Sequence, residues 1–190
     1  MFARFEAKTF SRKKGHSAVR ASAYRTGQEL YCKQTDEVYK FEFKKDVLHR
    51  GLCPQLRSSE KLWNEAEDAE KRKDSTIQRE FLCSLDKNIS EKDAVKLVRN
   101  HCKKIQKKHL CAYEFAIHAG RDGDNLHAHI ILSTRRYEDG KFTEKTRELD
   151  NRKSGLIDYW RKEWEKDLKS FLKIKANKKM DLYPRPRMSM

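Results

Sequence analysis

The sequence has no Cys-x-x-Cys pair, no long apolar run, and little glycine or proline. Its five cysteines are irregularly spaced, so we expect reduced cytoplasmic thiols, without a disulfide framework or a cysteine zinc site. No apolar stretch approaches the roughly 18 residues of a membrane span, and the N-terminus mixes aromatic and charged residues, unlike a signal peptide. Seven glycines and three prolines argue against collagen-like and low-complexity chains. We therefore expect a cytoplasmic protein without a membrane partner.

Positive charge is what the sequence has in excess. Its 44 Lys and Arg residues outnumber 29 Asp and Glu residues, which gives a formal net charge of +15. Such an excess attracts polyanions, because basic side chains that neutralise phosphates release condensed counterions. The cations are spread along the whole chain, so we favour a binding surface for nucleic acid over a merely solubilising tail.

Hydrophobic periodicity predicts an α+β fold, with a central antiparallel sheet and helices mainly on one face. The expected strands cover residues 2–8, 80–85, 111–119 and 127–134, with a hairpin near 38–43 followed by a loop. The expected helices cover residues 16–30, 59–73, 90–108 and 154–174, and the third begins with the capping-box spacing of Ser90 and Asp93. We divide the chain into one domain over residues 1–172 and a basic, irregular segment over 173–190.

Three histidines carry the most specific chemical signal. His127 and His129 lie on a predicted strand, where alternate side chains share a face, so they point the same way. His118 is near the end of the preceding predicted strand, and a hairpin over the 120–126 loop would bring it beside His127. Three imidazoles can then bind one divalent cation, such as zinc, manganese or nickel, among which the sequence does not choose. A histidine-rich surface strand without a metal is the alternative.

Tyr24 is the candidate nucleophile. A metal with three neutral ligands can polarise a phosphate oxygen, but the sequence shows no obvious water-activating dyad beside it. Tyr24 lies in a stretch of small residues, and Arg20 precedes it by one helical turn. A phenol titrates at about pH 10, so attack at neutral pH needs a nearby cation or base, and Arg20 and the metal could each supply the cation. A tyrosine that merely packs in a core or interface is the alternative.

The chain resembles the MobA/MobL, or MobQ-class, conjugative relaxases among the His-hydrophobic-His endonucleases. The resemblance runs from Phe2 to about Leu172 and rests on four blocks in the right order. The first block is residues 15–25 (GHSAVRASAYR). The second combines residues 62–64 (LWN), 70–73 (EKRK) and 79–80 (RE). The third is the histidine block through residues 133–135 (STR), and the fourth is residues 160–164 (WRKEW). Where the family often has Asn-Pro before the first histidine of the pair, this chain has Asn125-Leu126, which bears on loop geometry more than on metal binding.

The resemblance implies a reaction and the residues that perform it. The family's nucleophilic tyrosine falls on Tyr24, its metal-binding histidines on His118, His127 and His129, and its acidic residue on Glu80. The implied activity is a metal-dependent transesterification that nicks one DNA strand at an origin of transfer, leaving a 5′-phosphotyrosine and a free 3′-hydroxyl. Glu80 would take the phenolic proton or orient a ligand histidine. Mg²⁺ or Mn²⁺ is the expected cofactor.

Single-stranded or supercoiled DNA at the origin is the expected partner, together with accessory relaxosome proteins and a coupling protein. We expect DNA contacts from Arg25, Arg135, Lys173, Lys175, Lys178 and Lys179, the last four lying in a segment without apolar periodicity. One alternative is a rolling-circle replication initiator or transposase, whose tyrosine usually follows the histidines, as Tyr137 and Tyr159 do here. The other is a DNA-binding module that has lost catalysis.

Overall fold

The described part of the fold consists of eight strands and four α-helices. The computed structural model describes residues 4–120, 125–150 and 152–182, without the side chains of residues 152 and 174–182. The strands are β1 (Phe5–Ser11), β2 (Glu29–Cys32), β3 (Glu37–Lys40), β4 (Val47–Leu52), β5 (Thr76–Ser84), β6 (Cys111–His118), β7 (His127–Glu138) and β8 (Lys141–Lys145). The helices are α1 (Ala18–Thr26), α2 (Ser59–Asp68), α3 (Glu91–His109) and α4 (Leu156–Leu182), and short 3-10 turns occur at Arg12–Lys14, Arg147–Leu149 and Arg152–Ser154.

The main sheet is antiparallel, as predicted. Its strand order is β1-β5-β7-β6-β4, β8 pairs with β7, and β2 and β3 form a separate two-stranded ribbon. Every residue of β6 and most of β5 are buried, because these strands lie inside the sheet and are covered on both faces. The strands that carry the three candidate histidines, β6 and β7, are therefore neighbours at the centre of the sheet.

The long helices α3 and α4, of 19 and 27 residues, cover one face of the sheet. The Ser90 hydroxyl caps α3 by accepting a hydrogen bond from the Asp93 amide, as the capping-box spacing predicts. The predicted apolar stripe of α3 is buried, at Val95, Val98, Cys102 and Ile105. All five cysteines of the chain are free and buried, so they pack as small apolar side chains.

Two tryptophans hold α4 against α3 and the sheet. Trp160 and Trp164 are buried, and their indole N–H groups donate to His109 Nε2 at 3.0 Å and to the Ser84 carbonyl at 3.2 Å. Removing a buried indole costs about 3–5 kcal/mol in typical cores. These two side chains therefore dominate the docking of α4.

The shorter helices α1 and α2, of 9 and 10 residues, cover the opposite face, with the β2–β3 ribbon packed beside them. Glu114 of β6 anchors both helices through its buried carboxylate. It accepts hydrogen bonds from Ser22 of α1 at 2.6 Å and from Trp63 of α2 at 2.7 Å, and a third from Ser59. Since α3 and α4 hold most of the helical residues, the helices lie mainly on one face, as predicted.

The boundaries of several predicted elements are wrong. The helix predicted over residues 16–30 ends at Thr26, because Gly27 adopts a left-handed φ of 60°, and Glu29–Cys32 is a strand. Helix α2 ends at Asp68 instead of residue 73. The loop expected after the hairpin contains β4, an edge strand whose residues are exposed or only partly buried, so its apolar pattern is weak. Gly51 of β4 leaves room for the Phe115 ring, which an added Cβ would approach to 2.3 Å.

Helix α4 continues to Leu182. The prediction of an irregular segment over residues 173–190 is therefore wrong for 173–182, while residues 183–190 lie outside the described residues. Lysine, alanine and methionine are good helix formers, and no proline follows α3 before Pro184, so the composition favours the continued helix. Within the described residues, none of the helices combines the length and apolarity of a membrane span.

Glu114→Gln should change how stability depends on pH. Burial raises the pKa of Glu114 above the usual value of 4.5, although hydrogen bonds from Ser22, Ser59 and Trp63 act against it. The folded state holds this proton more tightly than the unfolded state, so the contribution to stability is full below pH 4.5 and is lost as pH rises through the folded-state pKa. Urea unfolding should therefore show a stability difference, parent minus variant, that falls as pH rises from 4.5.

Glu144→Gln is the control for this experiment, because the Glu144 carboxylate is exposed and pairs only with Arg136 at 3.0 Å among the described residues. This variant also removes one carboxylate, but it leaves the buried cluster around Glu114 intact. A constant difference between the parent and Glu114→Gln over the same range would contradict a raised pKa at Glu114.

Candidate active site and metal centre

The three predicted histidines meet at one end of the central strands. His118 ends β6 and pairs in register with His127 at the start of β7, while His129 follows two residues later on the same face. Their ring centroids lie 5.4 Å (His118 to His127), 4.6 Å (His118 to His129) and 5.0 Å (His127 to His129) apart. One ligand nitrogen from each lies within 4.8 Å of the others. This spacing makes the three histidines a candidate site for one metal ion.

Two of the imidazoles are oriented by acceptors of the protein. His127 Nδ1 donates to the Asn125 carbonyl at 2.6 Å, and His129 Nδ1 donates to Glu80 Oε1 at 2.5 Å. These partners fix the tautomer in which Nε2 carries the lone pair. Both Nε2 atoms are therefore free to bind a cation.

His118 is held at both ring nitrogens. Its Nε2 donates to the Arg25 carbonyl at 2.6 Å, and its Nδ1 lies 3.3 Å from Asp46 Oδ2. A neutral imidazole carries one proton, so it can donate to only one of these acceptors. One of the two contacts must give way when His118 binds an ion.

Burial keeps two of the histidines in the neutral form that binds metals. It is the main cause that lowers the pKa of His118 to about 4, although the hydrogen bond to the Arg25 carbonyl opposes the shift. Burial also lowers the pKa of His129, against the opposing effect of Glu80. Because a metal binds the unprotonated nitrogen, His118 and His129 need lose no proton at neutral pH. The donor set therefore fits a divalent cation that accepts imidazole.

Glu80 of β5 lies behind the histidines, and both of its oxygens are engaged. It is buried, accepts from His129 Nδ1, and forms an ion pair with Arg25, whose Nε lies 2.7 Å from Oε1. Burial alone would raise its pKa, but the hydrogen bonds from His129 and Arg25 outweigh this effect and lower the pKa to about 2. Glu80 is thus a carboxylate that orients its two partners.

Helix α1 presents Tyr24 beside the histidines. The Ser17 hydroxyl caps the helix by accepting from the Arg20 amide at 3.2 Å, and Glu67 of α2 accepts from the Ala18 amide at 2.6 Å and the Ser17 hydroxyl at 2.9 Å. A carboxylate at a helix N-terminus satisfies free amides and complements the helix dipole. Most of the small side chains of α1 are buried, so α1 lies close to the sheet while Tyr24 stays 46% exposed.

Two cations and a second ring surround the Tyr24 ring. Lys44 Nζ lies 3.9 Å and Arg25 Cζ 5.2 Å from its centroid, and the Phe41 ring meets it edge-on at 5.2 Å. Lys44 also pairs with Asp46 at 3.7 Å, so an unbroken line of contacts joins Tyr24 to His118. Among the described residues, none hydrogen-bonds to the Tyr24 hydroxyl, which leaves this oxygen available.

The sequence predicts that Arg20 acts on Tyr24 and that Arg25 contacts DNA, but in the structure both contact other groups. The Arg20 guanidinium lies over the Tyr39 ring, 5.6 Å from its centroid, and it is Lys44 and Arg25 that lie over Tyr24. Arg25, expected to contact DNA, has its guanidinium on Glu80. A catalytic role of Arg20 and a DNA contact from Arg25 stay predictions.

Of the remaining predicted DNA contacts, Arg135 and Lys173 have described side chains. Arg135 donates to the buried Glu70 carboxylate at 2.8 Å and to the Thr143 carbonyl at 2.7 Å. Lys173 is exposed on α4. The side chains of Lys175, Lys178 and Lys179 lie outside the described residues, so their roles stay predictions.

Sequence reasoning missed Lys44 and Asp46. Both lie in the stretch between β3 and β4, and no motif or periodicity marks them. Asp46 is near the site because β4 pairs with β6, which places Val47 opposite His118. Only recognition of β4 as a strand beside β6 could have found them.

Comparisons with known proteins agree on one family and one fold. The sequence model of the MobA/MobL family matches residues 16–182. The chain is similar to the mobilization protein MobL of Acidithiobacillus ferridurans, with 29% identity over 172 residues, 76% of this chain and 46% of that protein. The chain thus spans about half the length of this curated relative.

A solved structure supports the fold. It is described as "Molecular Basis of Vancomycin Resistance Transfer in Staphylococcus aureus" and aligns with a TM-score of 0.82, covering 92% of this chain and 94% of that one. The sequence identity is 20%, so this likeness bears on the fold alone.

Removing any one histidine of the cluster should weaken metal binding. His118→Ala, His127→Ala and His129→Ala should each lower the affinity for Mn²⁺, measured by titration calorimetry, by at least about ten-fold, because each removes one of three ligands. His49→Ala is the matched control, since His49 lies on β4 near Glu91, outside the cluster. Parent-like affinity in His118→Ala would contradict the three-histidine site.

Proposed function

The chain belongs to the MobA/MobL family, whose sequence model matches most of its length, and we propose that it is the DNA-nicking domain of a plasmid-mobilisation relaxase. Its substrate is one DNA strand at an origin of transfer. The observation that carries the proposal is an exposed tyrosine, whose hydroxyl makes no hydrogen bond with the described residues, on a helix that contacts a cluster of three histidines. The net charge of +15 suits a DNA partner.

Tyr24 is the proposed nucleophile. Its ring is 46% exposed, and none of the described residues hydrogen-bonds to its hydroxyl. The next residue, Arg25, touches the histidine cluster twice, through its carbonyl to His118 at 2.6 Å and through Glu80 to His129. Lys44 and Arg25 hold positive charge against the ring.

The proposed step is an in-line displacement at one phosphodiester. The Tyr24 oxygen forms a bond to phosphorus while the bond from phosphorus to the 3′ oxygen breaks, and that oxygen leaves with the electron pair. The phenol proton passes to solvent, and the 3′ oxygen takes a proton to become a hydroxyl. A divalent cation held by His118, His127 and His129 would offset charge on a non-bridging phosphate oxygen. The phosphotyrosine retains the bond energy, so the reverse reaction rejoins the strand.

Glu80 acts as a positioning residue in this proposal. A carboxylate with a pKa of about 2 and two engaged oxygens is a poor acceptor for a phenolic proton. The same hydrogen bonds hold the His129 ring and the guanidinium of Arg25 in place. Of the two roles that the sequence leaves open, the contacts support the orienting one.

The tyrosines that follow the histidine pair are less suited to attack. Tyr159 lies on α4, which covers the face of the sheet opposite the histidines. Tyr137 packs against Phe142 and lies roughly 26 Å from His129 along β7, at about 3.3 Å per residue. This arrangement supports the relaxase over a replication initiator that uses a downstream tyrosine.

Tyr24→Phe should abolish strand cleavage and leave DNA affinity within about two-fold, because only the attacking oxygen is removed and the ring still packs. The test is incubation with Mn²⁺ and single-stranded oligonucleotides from candidate origins, with the covalent protein–DNA adduct measured on a denaturing gel. Tyr31→Phe is the control, since the Tyr31 hydroxyl is also exposed but bonds to Asp36. An adduct that persists in Tyr24→Phe and is lost in Tyr31→Phe would identify Tyr31, instead of Tyr24, as the nucleophile.

Glu80→Gln should lower the affinity for Mn²⁺ by about 10–100-fold, because it weakens the hydrogen bond that orients His129. Cleavage should be slow at low Mn²⁺ and should recover at saturating Mn²⁺. Glu70→Gln is the matched control, because Glu70 is also a buried carboxylate that pairs with an arginine, Arg135, but it makes no hydrogen bond to the histidines. Unchanged Mn²⁺ affinity with slow cleavage at every Mn²⁺ concentration would instead identify Glu80 as the base.

A further inference from the structure

An exposed aromatic ring stands beside the candidate nucleophile. Residues 41–46, the loop between β3 and β4, carry Phe43 with 74% of its surface exposed, the highest value among the exposed large hydrophobic side chains of the described residues. The Phe43 ring lies 6.1 Å from the Phe41 ring, which in turn meets Tyr24 at 5.2 Å. A row of three rings thus leads from the Tyr24 phenol to solvent.

The loop is fixed in place at both ends. The Phe41 amide donates to the Gln28 carbonyl at 3.2 Å, and the Asp46 carbonyl accepts from the Ala119 amide at 3.0 Å. Between them, the Lys44 amide donates to the Phe41 carbonyl at 3.1 Å and closes a turn that carries Phe43. A ring that is held out by a closed turn loses little conformational entropy when it binds a partner.

The ring row also borders an open cavity of about 560 Å³, lined by Tyr24, Phe43, Lys44, Lys45, Asp46, Ala119 and Gly120. Within the loop, Glu42 and Asp46 balance the charges of Lys44 and Lys45. The loop therefore offers an aromatic surface without a net charge. Attraction for the DNA phosphates must come from other residues, because the chain as a whole carries a net charge of +15.

We propose that Phe43 is a stacking platform for a nucleobase of the single-stranded DNA, next to the phosphate that Tyr24 attacks. This inference rests on the proposed function, since it presumes a single strand laid across the Tyr24 face. Every base has a π-face, so stacking on an aromatic side chain is tolerant of sequence and suits a strand whose bases are unpaired. Stacking at this point would hold the strand so that the scissile phosphate stays beside the phenol.

The test uses oligothymidylate of about 15 nucleotides and an oligomer of the same length in which every base is replaced by an abasic tetrahydrofuran. The two probes carry the same phosphates and differ only in the bases. The parent should bind the thymidylate more tightly, and Phe43→Leu should lose about five-fold or more of that preference, because leucine keeps apolar bulk without a π-face. Phe43→Trp should retain it, and the dependence of affinity on salt should be unchanged in both variants.

Tyr159→Leu is the matched control, since Tyr159 is 42% exposed and has Lys108 Nζ 5.0 Å from its ring centroid, but lies on the opposite face of the sheet. It should keep the parent's preference. A parent-like preference in Phe43→Leu, or an equal loss for both probes, would overturn the stacking role while leaving the proposed function intact. A parent protein that binds neither probe would overturn the proposed function, and this inference with it.

Discussion

Helix α1 has nine residues, fewer than a helix needs to be stable alone in water, so its position depends on the groups that bind it. Three buried carboxylates do so from three different elements. Glu67 of α2 accepts from the first amides of the helix, Glu114 of β6 accepts from Ser22, and Glu80 of β5 pairs with Arg25. Each carboxylate would lose at least one of its hydrogen-bond donors if α1 left its place, and the cost of leaving buried carboxylates with fewer partners holds the helix that carries Tyr24.

The same carboxylate serves the helix and the histidine cluster. Glu80 accepts from Arg25 and from His129, and the Arg25 carbonyl accepts from His118. A movement of α1 would therefore break the hydrogen bond to His118 and remove one partner of the carboxylate that orients His129. The helix that carries the proposed nucleophile and the histidines proposed as metal ligands belong to one hydrogen-bonded network, which is how a site gains the rigidity that orientation requires.

The sequence carries enough information for the histidine cluster but not for its surroundings. His127 and His129 share a face because side chains alternate along a strand, and a hairpin brings His118 to them. The two-residue alternation and one predicted turn are therefore enough to predict the cluster. Lys44 and Asp46 could not be found this way, because β4 is an edge strand with a weak pattern and its pairing with β6 is a long-range contact. The ion pair of Arg25 with Glu80 could not be predicted either, because composition does not reveal that a cation has an internal carboxylate partner.

The contacts that hold α1 also span long stretches of the chain. Glu67 is 49 residues from Ala18, Glu80 is 55 residues from Arg25, Glu114 is 92 residues from Ser22, and His118 is 93 residues from Arg25. Closing loops of this size is the slow part of folding, so the assembled site is a late product of it. A nascent chain on the ribosome carries Tyr24 long before it carries the histidines. The proposed nucleophile and the proposed metal ligands therefore come together only once the last large loop has closed.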